Sequence, residues 1–449
     1  MPPDPKLLPD LAALIAALRT RDLDTATIDA VKLHGFDALG CACAGAATTE
    51  VAATRNALLH AAFPAPHKSL LEHPGCAAAV VTTACRLTEC DDIHIGSCTT
   101  PSSIVFPVAL VAGQIARASA DAILEGILAG YQTMITLGLA ANGAEIVYRG
   151  VWPTYLTGGI TAAAIAAKVM GLSERQIRDA MAIAATSATG VTGRIEEEPA
   201  PRWFVLASAV QAGVLAASAA ASGLHGDEAI LGKVSPVWKP ESLNLPDAVG
   251  PGAPLHLSHI GFKPYCTSRQ GLSATEAFIL ALREERIEPR AIDRITVAVP
   301  QQYRAMIDRT NRPRNKNESR SIHYQLALGA LHPDELCDIE RAKLRADEAA
   351  VRHVLDRVEV VASERLTKLY PRQWGGSVTV KAGGKTFERE VLNPRGDSEN
   401  PLGWDAITAK LDTMSRYLPR SIPTQALARH VKALDFRACL ETLLASAAL

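Results

Sequence analysis

From residue 7 to about residue 224 the chain reads as one helix after another. Apolar residues recur at helical spacing, and each helix-length segment ends at a short break of Gly, Pro, Ser, Thr or Asp. The string Gly171-Leu-Ser173-Glu-Arg-Gln176 shows this punctuation most clearly. Gly171 closes one helix, and Ser173 with Gln176 forms a capping box that opens the next, running through Ala185. Residues 205–222 are apolar on nearly every side, which predicts a helix at the centre of a helical domain rather than on its surface.

The pattern changes after Lys239. Residues 239–255 are rich in Pro, Gly and Asn and read as a linker or long loop. Beyond them lie the strand patterns: Arg294-Ile-Thr-Val-Ala-Val299, Arg357-Val-Glu-Val-Val-Ala362, Ser377-Val-Thr-Val-Lys381 and Lys385-Thr-Phe-Glu-Arg-Glu-Val391. Lys381-Ala-Gly-Gly384-Lys is a hairpin turn between the last two. Helical patterns at 270–284 and 321–331 sit among these strands, and 402–449 returns to helical periodicity. The expected fold is mainly α, with a large all-helical domain built from both chain ends, 1–257 and 396–449. A smaller α+β domain, 258–395, is inserted between them.

Composition narrows the class. At 449 residues the chain is long enough for two or three domains. Its hydrophobic fraction of 48% excludes a disordered protein, and Ala-richness fits close helix packing. Lys plus Arg number 46 against 47 Asp plus Glu, so a nucleic-acid scaffold, which needs a basic excess, is not expected. Nine cysteines, an odd number without zinc-finger spacing, fit reduced thiols better than a disulfide framework. Residues 1–10 carry prolines and acids and no apolar stretch after a basic start, so no secretory signal is read and a cytoplasmic location is expected. Residues 155–172 and 205–224 approach membrane length, but polar residues interrupt both, and a buried helix explains them better than a bilayer span.

Three polar clusters are candidate sites. The first, residues 89–107, sets Asp91, Asp92 and His94 beside Ser97, Thr99, Thr100, Ser102 and Ser103, just before a helix. A carboxylate next to an imidazole suits proton transfer; equally, Asp and Ser commonly cap helix N-termini. The second spans His256 to Arg269 at the junction of the two parts, where ligand clefts tend to form. His256 and His259 lack a third ligand spaced for zinc, so no metal is expected there. Lys263 and Arg269 are the better candidates, as cations able to hold a carboxylate. The third, Arg309 to Arg320, is basic but has no aromatic platform, which favours a solvated or cleft-lining loop over nucleic-acid binding. Glu196-Glu-Glu198 reads as a solvated loop. No dinucleotide or phosphate-binding glycine loop and no nucleophile elbow is present.

Taken in order, DDIHIGSCTTPSS (91–103), the 150–172 helix segment with LSERQIRDAMAIAATSATG (172–190), GFKPYCTSR (261–269), LYPRQWGGSVTV (369–380) and GDSENPL (396–402) resemble the MmgE/PrpD family. That family includes 2-methylcitrate dehydratase, cis-aconitate decarboxylase and iminodisuccinate epimerase. The resemblance runs from about Leu7 to the C-terminus and implies a large helical domain with an inserted α+β lid. It also implies a homodimer that acts on small anionic carboxylates without metal or organic cofactor, with no nucleic-acid or membrane partner. By the same resemblance Asp92, Lys263 and Tyr324 are the catalytic candidates, to which the first cluster adds His94; Thr100, Ser102, Trp152, Arg202 and Arg269 are the substrate-binding candidates from the resemblance and the clusters together. Several family histidines are replaced: Thr100 stands before Pro-Ser, Trp152 follows the Gly150 turn, and Arg202, Phe204 and Leu272 fall near other family positions. Histidine is the side chain best matched to proton transfer near neutral pH. The reading is therefore a lyase acting by proton abstraction α to a carboxylate, dehydration first. Its alternatives are a decarboxylase, an isomerase or a cyclase of a specialised pathway on the same fold, or a catalytically silent binding protein.

Overall fold

A computed structural model describes residues 6–62, 70–192, 201–234, 249–309, 321–340, 345 and 348–447. Glu196-Glu-Glu198, residues 310–320 of the basic segment and residues 239–248 of the expected linker lie outside them. The fold is mainly α with one four-stranded sheet. It divides into two compact units, Met1–Ile260 with Leu418–Leu449, and Gly261–Tyr417.

Among the described residues the first unit is helical apart from two isolated bridges, His94 with Thr99 and Val151 with Val191. The Pro153–Val169 helix is buried along its whole length and packs against the Ser102–Ala116, Ala120–Ala140, Glu174–Ala185 and Arg202–Ala221 helices. Small residues make this possible. Where it crosses the Arg202–Ala221 helix, a Cβ on Gly213 would lie 2.1 Å from the Gly159 carbonyl oxygen, so the two backbones are almost in contact. The capping box forms as the sequence predicts: the Ser173 hydroxyl accepts from the Gln176 N–H, and the Gln176 side chain accepts from the Ser173 N–H.

The Arg202–Ala221 helix departs from expectation. Leu206, Val210 and Ala217 point inward, but Phe204 is 43% and Leu215 69% exposed. Its described helical neighbours, Pro74–Arg86, Pro153–Val169 and Glu174–Ala185, leave that face uncovered. A helix that is apolar all round carries no information about which side its neighbours cover, and centrality was the wrong inference. By length and composition two helices could cross a membrane, Ala120–Ala140 and Arg202–Ala221. The first is mostly buried in its own unit.

The second unit is built on β1 (Ile292–Val299), β2 (Val358–Ala362), β3 (Gly376–Ala382) and β4 (Lys385–Val391), in the order β2-β1-β3-β4. β1 pairs parallel with β2 and antiparallel with β3, and β3 and β4 form the hairpin. Its two-residue loop is Gly383-Gly384, with φ of +55° and +77°. A primed turn needs positive φ at both central positions, which only glycine adopts without strain. On β3 alternate residues Val378, Val380 and Ala382 are buried, and the Arg269–Glu284 helix packs against β3 and β4. The unit also takes in the Trp404–Ser415 helix, where the sequence pattern placed the return to the helical part at 396. The tie is specific: buried Lys410 donates to the Lys263 carbonyl oxygen at 2.9 Å. All nine cysteines are buried.

Candidate active site

In the first unit, residues 86–103 thread three buried polar networks, and the candidate residues of that unit are distributed among them. The first centres on Asp92, which is fully buried. Its Oδ1 accepts the Ser102 N–H at 3.0 Å, and its Oδ2 accepts the Ser102 hydroxyl. Ser102 is the first residue of the Ser102–Ala116 helix, so the carboxylate occupies the anion-favouring end of a long helix. The Tyr131 hydroxyl sits 2.6 Å from Ser102 Oγ, and His34 Nδ1 lies 3.3 Å from Asp92 Oδ2. With Ser102 donating to Asp92, Tyr131 donates to Ser102. Burial and the neighbouring Asp92 push the Tyr131 phenol well above its ordinary pKa, so it stays protonated as this donor. Among the described residues no Lys or Arg pairs with Asp92.

The second network is charged. Arg86 reaches Glu89 at 3.0 Å and Asp91 at 3.2 Å, and Arg202 reaches Glu89 at 3.0 Å. Both guanidiniums lie over the Trp203 ring, Arg202 at 3.8 Å and Arg86 at 5.8 Å from its centroid. Glu89 makes its turn with φ of +52°. Beside this cluster runs the first turn of the Pro153–Val169 helix. Thr154 Oγ1 accepts the Thr100 N–H at 3.0 Å and lies 3.2 Å from Thr100 Oγ1. Trp152, half-buried, precedes the helix and meets Tyr155 edge-on with centroids 6.2 Å apart.

The third network holds His94. Its Nδ1 accepts the Ser97 N–H at 3.1 Å and lies 2.9 Å from Ser97 Oγ, which in turn lies 2.7 Å from Thr99 Oγ1. An Nδ1 that accepts from a backbone amide leaves the ring proton on Nε2. Burial first, then the nearby His256 and His259, push the His94 pKa down to about 3. Burial and His259 push His256 to about 4. His94 thus fixes its own loop, and its ring is a weak base. Among the described residues, no three His, Cys, Asp or Glu side chains are grouped so as to hold a metal ion.

These depressed values set a pH dependence. In the unfolded chain both histidines take up a proton near pH 6.5, whereas in the fold they stay neutral down to about pH 4 or below. Their contribution is complete above about pH 6.5, and each removes about 1.4 kcal/mol per pH unit as the pH falls from there toward its folded value. Thermal melts from pH 7 to pH 4.5 should show the midpoint falling with acid. His94→Asn, which keeps an acceptor for the Ser97 amide and does not titrate, should flatten that slope; an unchanged slope contradicts this assignment.

In the second unit the motif segments 261–269 and 396–402 meet directly. The Phe262 N–H donates to the Gly396 carbonyl, and Arg269 grips the Asp397 carboxylate with Nε at 2.9 Å and Nη2. Arg269 Nη1 reaches Ser273 Oγ and the Trp374 carbonyl, each at 3.2 Å, and Ser273 Oγ donates to the same carbonyl. Arg269 therefore ties this unit together, where the sequence suggested a fork open to substrate. Burial pushes the Asp397 carboxyl up, and Arg269 pulls it back. Lys263 is buried within the same segment, and Tyr324 is buried on the first turn of the Ile322–Leu331 helix, its N–H donating to Ser321 Oγ at 3.3 Å.

Sequence reasoning missed His34, Tyr131, Arg86, Tyr155 and Asp397. His34 carried a faint signal, a polar residue within an otherwise apolar helix, Thr25–Gly45. Tyr131 and Asp397 meet their partners only through tertiary packing, whereas Arg86 stands three and five residues before Glu89 and Asp91.

Two family models match the chain: the MmgE/PrpD N-terminal domain over residues 9–235 and the MmgE/PrpD C-terminal domain over residues 265–435. No curated protein sequence matches it.

Proposed function

The chain belongs to the MmgE/PrpD family, whose members are generally enzymes, dehydratases and decarboxylases among them, and on that premise we propose that it is a lyase for a small carboxylic acid. The first step is removal of a proton α to a carboxylate, and the outcome is dehydration. Asp92 takes the α-proton. Lys263 holds the carboxylate and the charge that develops on its oxygens as the carbanion forms. Tyr324 gives its proton to the departing β-hydroxyl, which leaves as water, and solvent restores Tyr324 while Asp92 releases the α-proton.

The observation that carries this reading is the state of Asp92. It is a buried carboxylate that accepts the Ser102 N–H and hydroxyl, with His34 Nδ1 3.3 Å away and no described Lys or Arg paired to it. A buried carboxylate whose two oxygens are held in place by Ser102 presents a fixed acceptor, the geometry that proton transfer requires. Decarboxylation, isomerisation and cyclisation begin with the same kind of charge development and are the runner-up outcomes. A second reading, a binding protein without catalysis, is favoured by the hydrogen bond that each Asp92 oxygen already accepts from Ser102. The same account takes the protein to be a cytoplasmic homodimer whose ligand is a small anionic carboxylate.

Incubating the protein with hydroxy-, keto- and unsaturated di- and tricarboxylates in deuterated water, followed by NMR, tests it. Consumption of one acid, or deuterium entering its α-position, is the expected result. No consumption and no exchange across the panel favours the binding protein.

A further inference from the structure

Tyr155 is a buried polar group that neither the fold nor the proposed chemistry uses. It lies on the first turn of the Pro153–Val169 helix and is 2% exposed. No described residue donates to or accepts from its hydroxyl. A buried hydroxyl without a partner is costly, and native structures retain few of them. Its surroundings are the residues that sequence comparison assigns to substrate: the half-buried Trp152 ring stands edge-on to it, and Thr154, next in the chain, binds Thr100. The phenol is also within electrostatic range of Arg86 and Arg202.

We propose that the Tyr155 hydroxyl is a ligand contact, donating a hydrogen bond to an oxygen of the bound carboxylic acid beside Trp152 and the Arg86–Arg202 cluster. This rests on the reading of the protein as a carboxylic-acid enzyme and adds a residue that determines which acid fits. The charges favour a donor of this kind. Arg86 and Arg202 are balanced by Glu89 and Asp91, so the cluster brings little net charge to a ligand and the neutral phenol supplies directional recognition. Burial, only partly offset by the two arginines, raises the phenol pKa, so it is a donor throughout the working range. The Trp152 and Tyr155 rings make this corner aromatic, suited to an acid with an apolar arm.

Tyr155→Phe separates a ligand contact from a structural one. The variant keeps the ring and removes only the unpartnered hydroxyl, so the ligand-free protein should melt roughly 1–3 °C higher. Binding of succinate, tricarballylate and citrate, measured by calorimetry on wild type and variant, should show at least one acid bound by wild type and held roughly tenfold or more weaker by the variant. Equal affinity for that acid overturns the Tyr155 assignment and leaves the carboxylic-acid reading standing. A lower melting temperature for the ligand-free variant overturns it too, because the hydroxyl then has a partner within the fold. If wild type binds none of the acids, the carboxylic-acid reading fails, and the Tyr155 assignment fails with it.

Discussion

Asp92→Asn is expected to lose roughly 10²–10⁴-fold in turnover while the protein remains folded. The substitution preserves size and one acceptor oxygen, so the Ser102 N–H at 3.0 Å keeps its partner. The amide cannot take a proton from carbon, which is the function assigned to the carboxylate. Its NH₂ also faces the Ser102 hydroxyl, from which the carboxylate accepted. Ser102 must then rotate and donate elsewhere, and the Tyr131 link shifts with it. Circular dichroism and a melting curve show whether the fold persists; a cost of about 1–3 kcal/mol from the disturbed bonds is tolerable in a domain this size. Turnover within tenfold of wild type removes Asp92 from the mechanism and leaves it as a helix cap.

The largest stability effect is expected at Arg269. It is among the most deeply buried charged groups in the protein, and its guanidinium joins Asp397, Ser273 and the Trp374 carbonyl. Arg269→Ala leaves the Asp397 carboxylate in the interior with nothing to balance it, at a cost of about 3–5 kcal/mol. The second unit should melt roughly 10 °C lower. Burial already raises the Asp397 pKa against the pull of Arg269, so without the arginine the carboxyl rises further. A raised acid pKa favours the fold when protonated, so the deficit should be smallest near pH 4 and grow as the pH rises toward 7. Replacing both partners, Arg269→Met with Asp397→Leu, should recover most of the loss. A single variant that melts within 2 °C of wild type at pH 7 contradicts the assignment.

How far the sequence carries differs from one region to the next, and the reason is range. The Ser173–Gln176 capping box, the Gly383-Gly384 turn and the strand alternation of β3 are decided within a few residues, and each forms where the pattern places it. The Arg202–Ala221 helix was legible as a helix but not in its position, because Phe204 and Leu215 look like core until neighbours on one side only are seen. The site is less legible still. Asp92 and Ser102, ten residues apart, were both singled out, and they do bond. His34 and Tyr131 reach them from helices 58 residues before and 39 residues after Asp92, a separation that no spacing rule spans. Arg269 read as a substrate clamp because a buried arginine and an open one look alike until Asp397, 128 residues away, takes the fork.

Tyr324, inside the matched C-terminal domain, rests on family membership and burial, and Lys263 on the sequence resemblance and burial, whereas Asp92 rests on its own geometry. The most direct measurement is therefore solvent-deuterium incorporation at the α-carbon of the acid that wild type accepts, followed by NMR for wild type and Asp92→Asn side by side. The account predicts incorporation in wild type and none above background in the variant, with both proteins folded. Equal incorporation in the two would contradict it.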